Sequence, residues 1–249
     1  MKYVINWKKK YLLSNILFLI AIVFLNTPIV SYAEMIEVVT ENWRPYNFQE
    51  NNVIKGISTE IVKKVLDHSG IDYTISVYPW NRSYKMALEK KNVLIYTIIR
   101  IPEREHLFKW VRPLGKGGVT SLYRLQDTKI QIKTVEDAKQ FYIVTNLNSM
   151  DHIWLTNNGF THLHTTGAVE NAIKMIFKKR VKLIAFDSAV MKKECENLGY
   201  NANQLVEVIP LFRTPPYMAL NLKASDHILQ KLQQSYDQLL KEKKINLVN

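Results

Sequence analysis

The sequence has very little cysteine and only one long apolar run. Its single cysteine among 249 residues is Cys195, which excludes an internal disulfide and a cluster of cysteines around a metal ion. After the first 33 residues, no apolar run approaches the ~20 residues that a membrane-spanning helix needs. Repeats and low-complexity tracts are also absent. The rest of the chain is therefore expected to be a soluble protein that folds without a crosslink.

The first 33 residues have the order of a secretory signal peptide. They start with Lys2 and the basic run Lys8 to Lys10, and they continue with apolar residues from Ile16 to Leu25. Ser31 and Ala33 then supply the small residues that a signal peptidase accepts. The apolar block is short for a spanning helix and no cysteine follows it. We therefore expect cleavage after residue 33 rather than an uncleaved anchor or a lipid attachment.

The part of the chain after this leader is basic and long enough for one large domain or two small ones. Subtracting 33 residues from 249 leaves 216, which is sufficient for a real hydrophobic core. The formal net charge is +12, of which the leader's four lysines account for 4, so about +8 remains. Basic residues lie in short clusters such as Lys178 to Arg180 and Lys241 to Lys244, beside apolar helical positions. These clusters predict solvated helix faces, and we expect no nucleic-acid partner.

Short β-rich runs alternate with helical patterns in the first half of the chain. Strands are predicted at Ile36 to Thr40, Tyr73 to Val77 and Val93 to Ile99. Helices are predicted from about Ser58 to His68, where apolar residues recur with a period near 3.6, and from Asn81 to Lys90. Alternation of this kind predicts an α/β fold.

A second α/β series follows a glycine-rich turn. Its strands are predicted near Ser121 to Leu125, Tyr142 to Thr145 and Val181 to Phe186. Helices are predicted from about Ala168 to Lys179 and again directly after Asp187. Two α/β units of similar size are therefore expected.

Four blocks of the sequence have the spacing of a known family. Trp43 to Phe48, followed by Lys55 to Ile61, is similar to an aromatic-x-Pro-Phe opening and a Gly-Phe-Asp helix start. Asn92 to Arg104 is similar to a strand and turn that end in Thr-Pro-Glu-Arg. Lys179 to Ser188 is similar to a Gly-Arg-x-Asp-Ala strand that ends on a ligand-binding aspartate. From about Thr40 onward, the chain resembles the type II periplasmic solute-binding proteins of family 3, which capture polar amino acids for import transporters.

The resemblance implies an α/β fold of two lobes that close on a ligand by a hinge motion. Two segments would cross between the lobes, one near Val119 to Tyr123 and the other near Thr214 to Met218. Lobe 1 would then contain residues 34–120 and 215–249, and lobe 2 would contain residues 121–214.

The resemblance also implies which charged groups bind the ligand. Arg104 matches the family's carboxylate clamp, because a guanidinium can pair with both carboxylate oxygens at once. Arg100 is a rival for this role, and a surface ion pair with Glu103 or Glu105 is the alternative for Arg104. Asp187 matches the residue that binds the ligand's ammonium group, and its alternative role is to cap the following helix.

Polar residues on both sides of the expected cleft complete this set. Asn148 and Ser149 correspond to the family's Gly-Thr turn, where main-chain amides at a helix start and a hydroxyl can hold a carboxylate. Thr97 fits a polar lining position and would offer its hydroxyl to the ligand.

Aromatic residues are expected to form a wall of the cleft. Trp43 stands where family members place a ring against the ligand, and Trp80 and Tyr96 lie at other lobe 1 positions that would face it. Core packing is the alternative for each. Ile99 and Ile101 replace hydroxyl residues near the clamp, so a ligand other than a standard α-amino acid stays open.

The resemblance implies a binding protein without catalytic activity. We expect a monomer that binds a small polar solute, an amino acid in the first instance, and delivers it to the membrane permease of an ABC importer. The leader places this activity in the periplasm. No cofactor is implied, and His162 and His164 lack an obvious third ligand for a metal ion.

Two other functions occur on the same fold. A periplasmic enzyme, such as a dehydratase of aromatic amino-acid precursors, would need a catalytic carboxylic acid in the cleft. Glu41 or Asp187 could supply it, although no acid and base pair is visible in the sequence. A sensor that presents its bound state to a receptor is the second alternative.

Overall fold

Two five-stranded sheets form the framework of the protein. The computed structural model describes residues 35–247, so the predicted signal peptide lies outside the described residues. The first sheet contains, in spatial order, β4 (Tyr73–Val77), β1 (Ile36–Thr40), β5 (Val93–Ile99), β12 (Pro216–Asn221) and β6 (Phe108–Pro113). The second contains β11 (Leu205–Arg213), β7 (Val119–Leu125), β10 (Leu183–Asp187), β8 (Ile143–Asn146) and β9 (Leu163–Thr166).

Helices connect the strands of both sheets. Within the described residues they are α1 (Ile57–Ser69), α2 (Trp80–Glu89), α3 (Pro102–Glu105), α4 (Val135–Ala138), α5 (Met150–Asn157), α6 (Val169–Phe177), α7 (Ser188–Asn197) and α8 (Asp226–Lys241). A hairpin of β2 (Phe48–Glu50) and β3 (Val53–Lys55) precedes α1. Among the helices of residues 35–247, none combines the length and the apolar character that crossing a membrane requires.

Each sheet is buried on both of its faces. In β1, Ile36 and Val38 belong to one apolar cluster and Val39 to another. In β10, Phe186 and Ala185 are divided in the same way, because successive strand residues point to opposite faces. Burying one such side chain contributes about 1.5–3 kcal/mol. The uninterrupted apolar strands are therefore explained by helices that cover both faces of each sheet.

The chain passes between the two sheets twice. It leaves β6 of the first sheet and enters β7 of the second through residues 114–118, and it returns from β11 to β12 through residues 214–215. The predicted first crossing, Val119 to Tyr123, is instead part of β7, because these residues pair with β10 and β11. The two crossings touch: a Cβ on Gly117, whose φ is +77°, would lie 1.8 Å from the Thr214 carbonyl oxygen.

The protein therefore has the predicted α/β organisation in two lobes. Lobe 1 is the part built on the first sheet, and lobe 2 is the part built on the second sheet. The predicted boundaries at residues 120/121 and 214/215 stay a proposal, and the sheet changes lie within a few residues of them.

Candidate functional site

A cleft lies between the two lobes beside the crossing segments. Several of its residues lie at or just after the carboxyl ends of strands β1, β5 and β10, which is where open α/β sheets place their ligand sites. Its lining consists of Glu41, Trp43, Tyr46, Trp80, Thr97, Ile99, Arg104, Gly117, Gly118, Thr120, Ser149, Met150, Asp151, Asp187, Phe212, Thr214 and Pro216. Among the eight predicted site residues, six belong to this lining and Tyr96 and Asn148 do not.

Arg104 is the most deeply buried charge of the cleft, with an exposure of 1%. Its Nη1 donates to the Ile99 carbonyl over 3.1 Å and its Nη2 to the Asn148 carbonyl over 2.8 Å. The guanidinium also lies over the rings of Trp80 and Tyr84, at 5.3 and 5.1 Å. Its Nε is buried and has no hydrogen-bond partner in residues 35–247. Arg104 therefore joins the lobes through the Asn148 carbonyl.

Arg100, the rival clamp, is directed away from the cleft. Its Nε donates to Glu105 over 2.7 Å, and a second contact between the same two side chains completes an exposed ion pair. Glu103 accepts a hydrogen bond of 2.7 Å from Asn157 of lobe 2. Neither acid pairs with Arg104, so Arg104 is the arginine that reaches the cleft.

Asp187 caps α7 and also lines the cleft. Its Oδ1 accepts hydrogen bonds from the amides of Ala189 at 2.9 Å and Val190 at 3.1 Å, which cap α7. The side chain is only 8% exposed and lines the cleft. Burial raises the pKa of this carboxyl, and the two amides oppose the rise. A cation in the cleft would relieve the cost of this buried charge.

Two further carboxyls share the cleft, Glu41 after β1 and Asp151 in the first turn of α5. Burial raises the pKa of Glu41 to about 8, and the neighbouring Asp151 adds to the rise. Burial also raises the pKa of Asp151 to about 7, against a hydrogen bond of 3.2 Å from Thr120. From the sequence, Glu41 is predicted only as a possible catalytic acid, and Asp151 is not predicted as a site residue. Its position after the carboxyl end of β8 was the available signal.

Thr97 is held in an unusual backbone conformation at the cleft. The pairing of β5 with β12 runs from Ile98 opposite Tyr217 to Tyr96 opposite Met218, so Thr97 is an unpaired bulge residue. Its φ is +62°, which is rare for a β-branched residue. The Thr97 hydroxyl is buried without a hydrogen-bond partner among the described residues. Such strain is typical of functional sites.

Tyr96 does not line the cleft, which corrects the prediction made for it. The side chain is 1% exposed and packs in the lobe 1 core against α1. Its hydroxyl lies 2.9 Å from the Thr59 hydroxyl. The physical reason is that neighbouring strand residues point to opposite faces, so Tyr96 turns inward where Thr97 faces the cleft.

Asn148 is also outside the lining, although it links the lobes. Its carbonyl accepts from Arg104 and, over 3.0 Å, from the Trp80 indole. Its side-chain amide donates to Asn81 over 3.0 Å. The neighbouring Ser149 does line the cleft and accepts from the amide at the third position of α5. The predicted turn therefore supplies an interlobe contact as well as a lining residue.

Aromatic rings from both lobes meet at the cleft. Trp43 stacks on Phe186 of lobe 2 with a centroid distance of 5.1 Å. Tyr46 and Phe212 also line the cleft, and neither is predicted as a site residue from the sequence. The lobes are therefore in direct contact around the cleft, in a closed arrangement.

A buried ion pair reinforces this closed arrangement. Glu194 on α7 accepts from the Arg44 amide at 3.3 Å and from its guanidinium at 3.4 Å. The Glu194 side chain is fully buried.

No group of three or more His, Cys, Asp or Glu side chains suited to a metal ion occurs in the part of the chain that the structure describes.

The chain is similar to solved structures of binding and sensor proteins, whereas no curated protein sequence matches it. A histidine kinase sensor domain similar to periplasmic binding proteins matches with a TM-score of 0.76 at 13% identity, over 85% of this chain and 92% of the sensor. An ancestral arginine-binding protein bound to arginine matches with a TM-score of 0.73 at 16% identity, over 84% and 93% of the two chains. The arginine-, lysine-, histidine-binding protein ArtJ from Geobacillus stearothermophilus matches with a TM-score of 0.72 at 15% identity. The match covers 85% of this chain and 91% of ArtJ.

The solved structures establish the two-lobed fold, and the family assignment comes from the sequence match. The model of the family described as bacterial extracellular solute-binding proteins, family 3, matches residues 36–247. This range includes both sheets and every residue that lines the cleft. The chain belongs to the bacterial extracellular solute-binding proteins of family 3.

Proposed function

We propose that the protein captures a small polar solute that carries an amino group, with amino acids as the first class to test, and delivers it to the permease of an ABC importer in the periplasm. It does so as a monomer and without catalysis. The observation that carries the proposal is the buried carboxyl of Asp187 on lobe 2, which lines one closed cleft together with Glu41 and Arg104 of lobe 1. A solute that contacts both lobes favours the closed state by its differential affinity.

The charges of the cleft support an amine-bearing ligand. Asp187 and Asp151 are buried carboxyls, with exposures of 8% and 5%, and Glu41 lies beside them. Burying such a charge unpaired costs several kcal/mol, which a bound ammonium group offsets. The similar structures include proteins that bind arginine and one bound to glutamine. Solutes of this size and polarity are the first to test.

Signalling is a second candidate function. The structural match to a histidine kinase sensor domain supports it, because that domain has the same fold. In this case the closed protein would be recognised by a receptor rather than by a permease. Uptake of the labelled solute by cells that lack the gene separates the two functions: transport predicts slower uptake, and signalling predicts unchanged uptake with a lost transcriptional response.

A thermal-shift screen tests the proposal directly. The protein is purified from the periplasm, so that its own leader has been processed, and it is screened against amino acids, diamines and small carboxylates. A ligand at 100 times its Kd stabilises the folded state by about 2.7 kcal/mol. We expect amine-bearing solutes to raise the melting temperature and to reduce the radius of gyration in small-angle scattering.

Two results would contradict the proposal. A screen in which no amine-bearing solute raises the melting temperature would remove solute capture as the function. Mass spectrometry of the ligand after incubation provides the check for catalysis, and conversion of the ligand to a product would favour the enzyme alternative. Glu41 would then be the first residue to replace, because its raised pKa keeps it protonated near neutral pH.

A further inference from the structure

We propose that the solute is an organic diamine that carries no carboxylate. The inference rests on the proposed function, because it narrows the ligand of the same cleft. It follows from a mismatch between the acids and the bases of the lining, and from the contacts that Arg104 already makes.

Carboxyls outnumber cations in the lining of the cleft. Glu41, Asp151 and Asp187 line it, whereas Arg104 is the only lysine or arginine among the lining residues. When all four are ionised the site has a net charge of −2, which a dication would neutralise. The three acids come from different elements, namely the ends of β1 and β10 and the start of α5. The pKa of each carboxyl is raised chiefly because the cleft removes water from around it, and the nearby arginines only partly oppose the rise.

Neighbouring basic residues do not restore the balance. Arg44 is paired with Glu194, which is itself a buried acid. Arg213 donates to the Gly117 carbonyl over 2.8 Å, and it lies outside the lining. The Glu41 carboxylate accepts no hydrogen bond from any residue in the range 35–247. It is therefore available to an ammonium group of the solute.

Arg104 is poorly placed to clamp a carboxylate in this arrangement. Two of its nitrogens donate to the carbonyls of Ile99 and Asn148, and the rings of Trp80 and Tyr84 lie against the guanidinium. A bidentate carboxylate pair needs two parallel N–H donors. Nη1 and Nη2 each have one of their two N–H groups bound to a carbonyl, and Nε has no partner in residues 35–247. Arg104 thus acts mainly as a contact between the lobes.

The other site for a carboxylate, the start of α5, is also unfavourable. A helix N-terminus attracts an anion, but Asp151 lies in its first turn and faces the cleft. The Ser149 hydroxyl oxygen already accepts a hydrogen bond from the His152 main-chain amide. On lobe 1, Ile99 offers no side-chain donor. A carboxylate at this place would therefore meet acids on several sides.

A diamine fits the remaining features. Its two ammonium groups can pair with acids at separate places in the cleft, and the Thr97 hydroxyl offers an additional acceptor. Its methylene chain would lie along Tyr46 and Phe212, whose rings line the same space. Alkyl amines of this kind have a pKa near 10.4 and are dications at pH 8.

Matched pairs of ligands test the inference by isothermal titration at pH 8. Cadaverine is lysine without its carboxylate, and agmatine is arginine without its carboxylate. We expect each amine to bind at least tenfold more tightly than its parent amino acid. Tighter binding of lysine or arginine, or binding of neutral or acidic amino acids alone, would overturn the inference and leave the proposed function intact. If no solute of any class binds, both fail.

Variants add a second, independent readout. Glu41→Gln and Asp151→Asn should each lower the affinity for cadaverine at least tenfold, because each removes one acid from the cleft. The control is Glu89→Gln at the exposed end of α2, which should bind as the unaltered protein does. Thermal unfolding of the empty proteins shows that the variants fold. Unchanged cadaverine affinity in folded Asp151→Asn and Glu41→Gln would contradict the assignment.

Discussion

The main chain of Gly118 lies directly against the Asp187 carboxylate. A Cβ built on Gly118 would be 1.7 Å from Asp187 Oδ2, a distance that no real side chain shows. Gly118 belongs to the crossing segment of residues 114–118. The main chain of this segment therefore contacts the Asp187 carboxylate. The position of Asp187 therefore depends on the backbone of this crossing segment.

Gly118→Ala should weaken solute binding by pushing Asp187 out of place. We expect at least a tenfold loss of affinity in titrations with a solute found by the screen. Gly167→Ala is the matched control, because a Cβ at Gly167 meets no atom within 4 Å. Equal affinities of the two variants would show that the contact with Asp187 has no part in binding.

The Arg44 and Glu194 pair should increase the fraction of the empty protein that is closed. Removing one partner of a buried ion pair costs up to about 3–5 kcal/mol, because the other charge is left unpaired. Arg44→Ala should therefore increase the radius of gyration of the empty protein in small-angle scattering. Adding Glu194→Gln to this variant should recover part of the closed population. Identical scattering curves for all three proteins would refute the role of the pair.

The stability of the empty protein should fall as the pH rises from 5 to 8. The pKa of Glu41 is about 8 when folded against an ordinary 4.5, and that of Asp151 is about 7 against 3.8. In this interval the folded state holds protons that the unfolded chain has released, so the free energy of unfolding decreases with pH. The charge of Arg104 lowers the pKa of Glu41, whereas the charges of Glu170 and Glu194 raise it further.

Denaturant unfolding at several pH values measures this slope. In the double variant Glu41→Gln and Asp151→Asn, the slope between pH 5 and 8 should become much smaller. Persistence of the full slope in that variant would mean that other groups titrate. Binding of a cation should oppose proton uptake, so its affinity should increase with pH over the same interval.

The Thr97 hydroxyl should serve the ligand rather than the fold. Thr97→Val removes a buried hydroxyl that has no partner in residues 35–247, so the free energy of unfolding should change by less than about 1 kcal/mol. Solute affinity should fall about fivefold, which corresponds to one hydrogen bond of about 1 kcal/mol. Thr97→Ser keeps the hydroxyl and should bind normally. Normal binding by Thr97→Val would exclude this contact.

Strand and helix patterns were sufficient to predict most of the fold. Strands Ile36–Thr40, Tyr73–Val77 and Val93–Ile99 have the bounds that their apolar runs predicted. These runs end at turns or at the start of a helix, so local sequence determines where pairing stops. The first crossing was placed too late, because the residues from Val119 onward look like any buried strand until their pairing with β11 is known.

The site was less predictable, for reasons that lie in long-range contacts. Both Tyr96 and Thr97 are predicted to face the cleft. They are neighbours in one strand, and because neighbouring strand residues point to opposite faces, only one of them is expected to do so. The bulge at Thr97 depends on the register between β5 and β12, which no local pattern reveals. Asp151 becomes a candidate site residue only because it lines the same cleft as Glu41 and Asp187, which are distant from it in sequence.

The solute affinity of Asp187→Asn shows most directly whether the cleft recognises an amino group. Asparagine caps a helix as well as aspartate does, so α7 and the thermal stability of the empty protein should be preserved while the negative charge is lost. We expect titration calorimetry to show about a 100-fold loss of affinity for the amine-bearing solute, equivalent to about 2.7 kcal/mol. An unchanged affinity in a folded Asp187→Asn protein would contradict the claim that this cleft captures its ligand through an amino group.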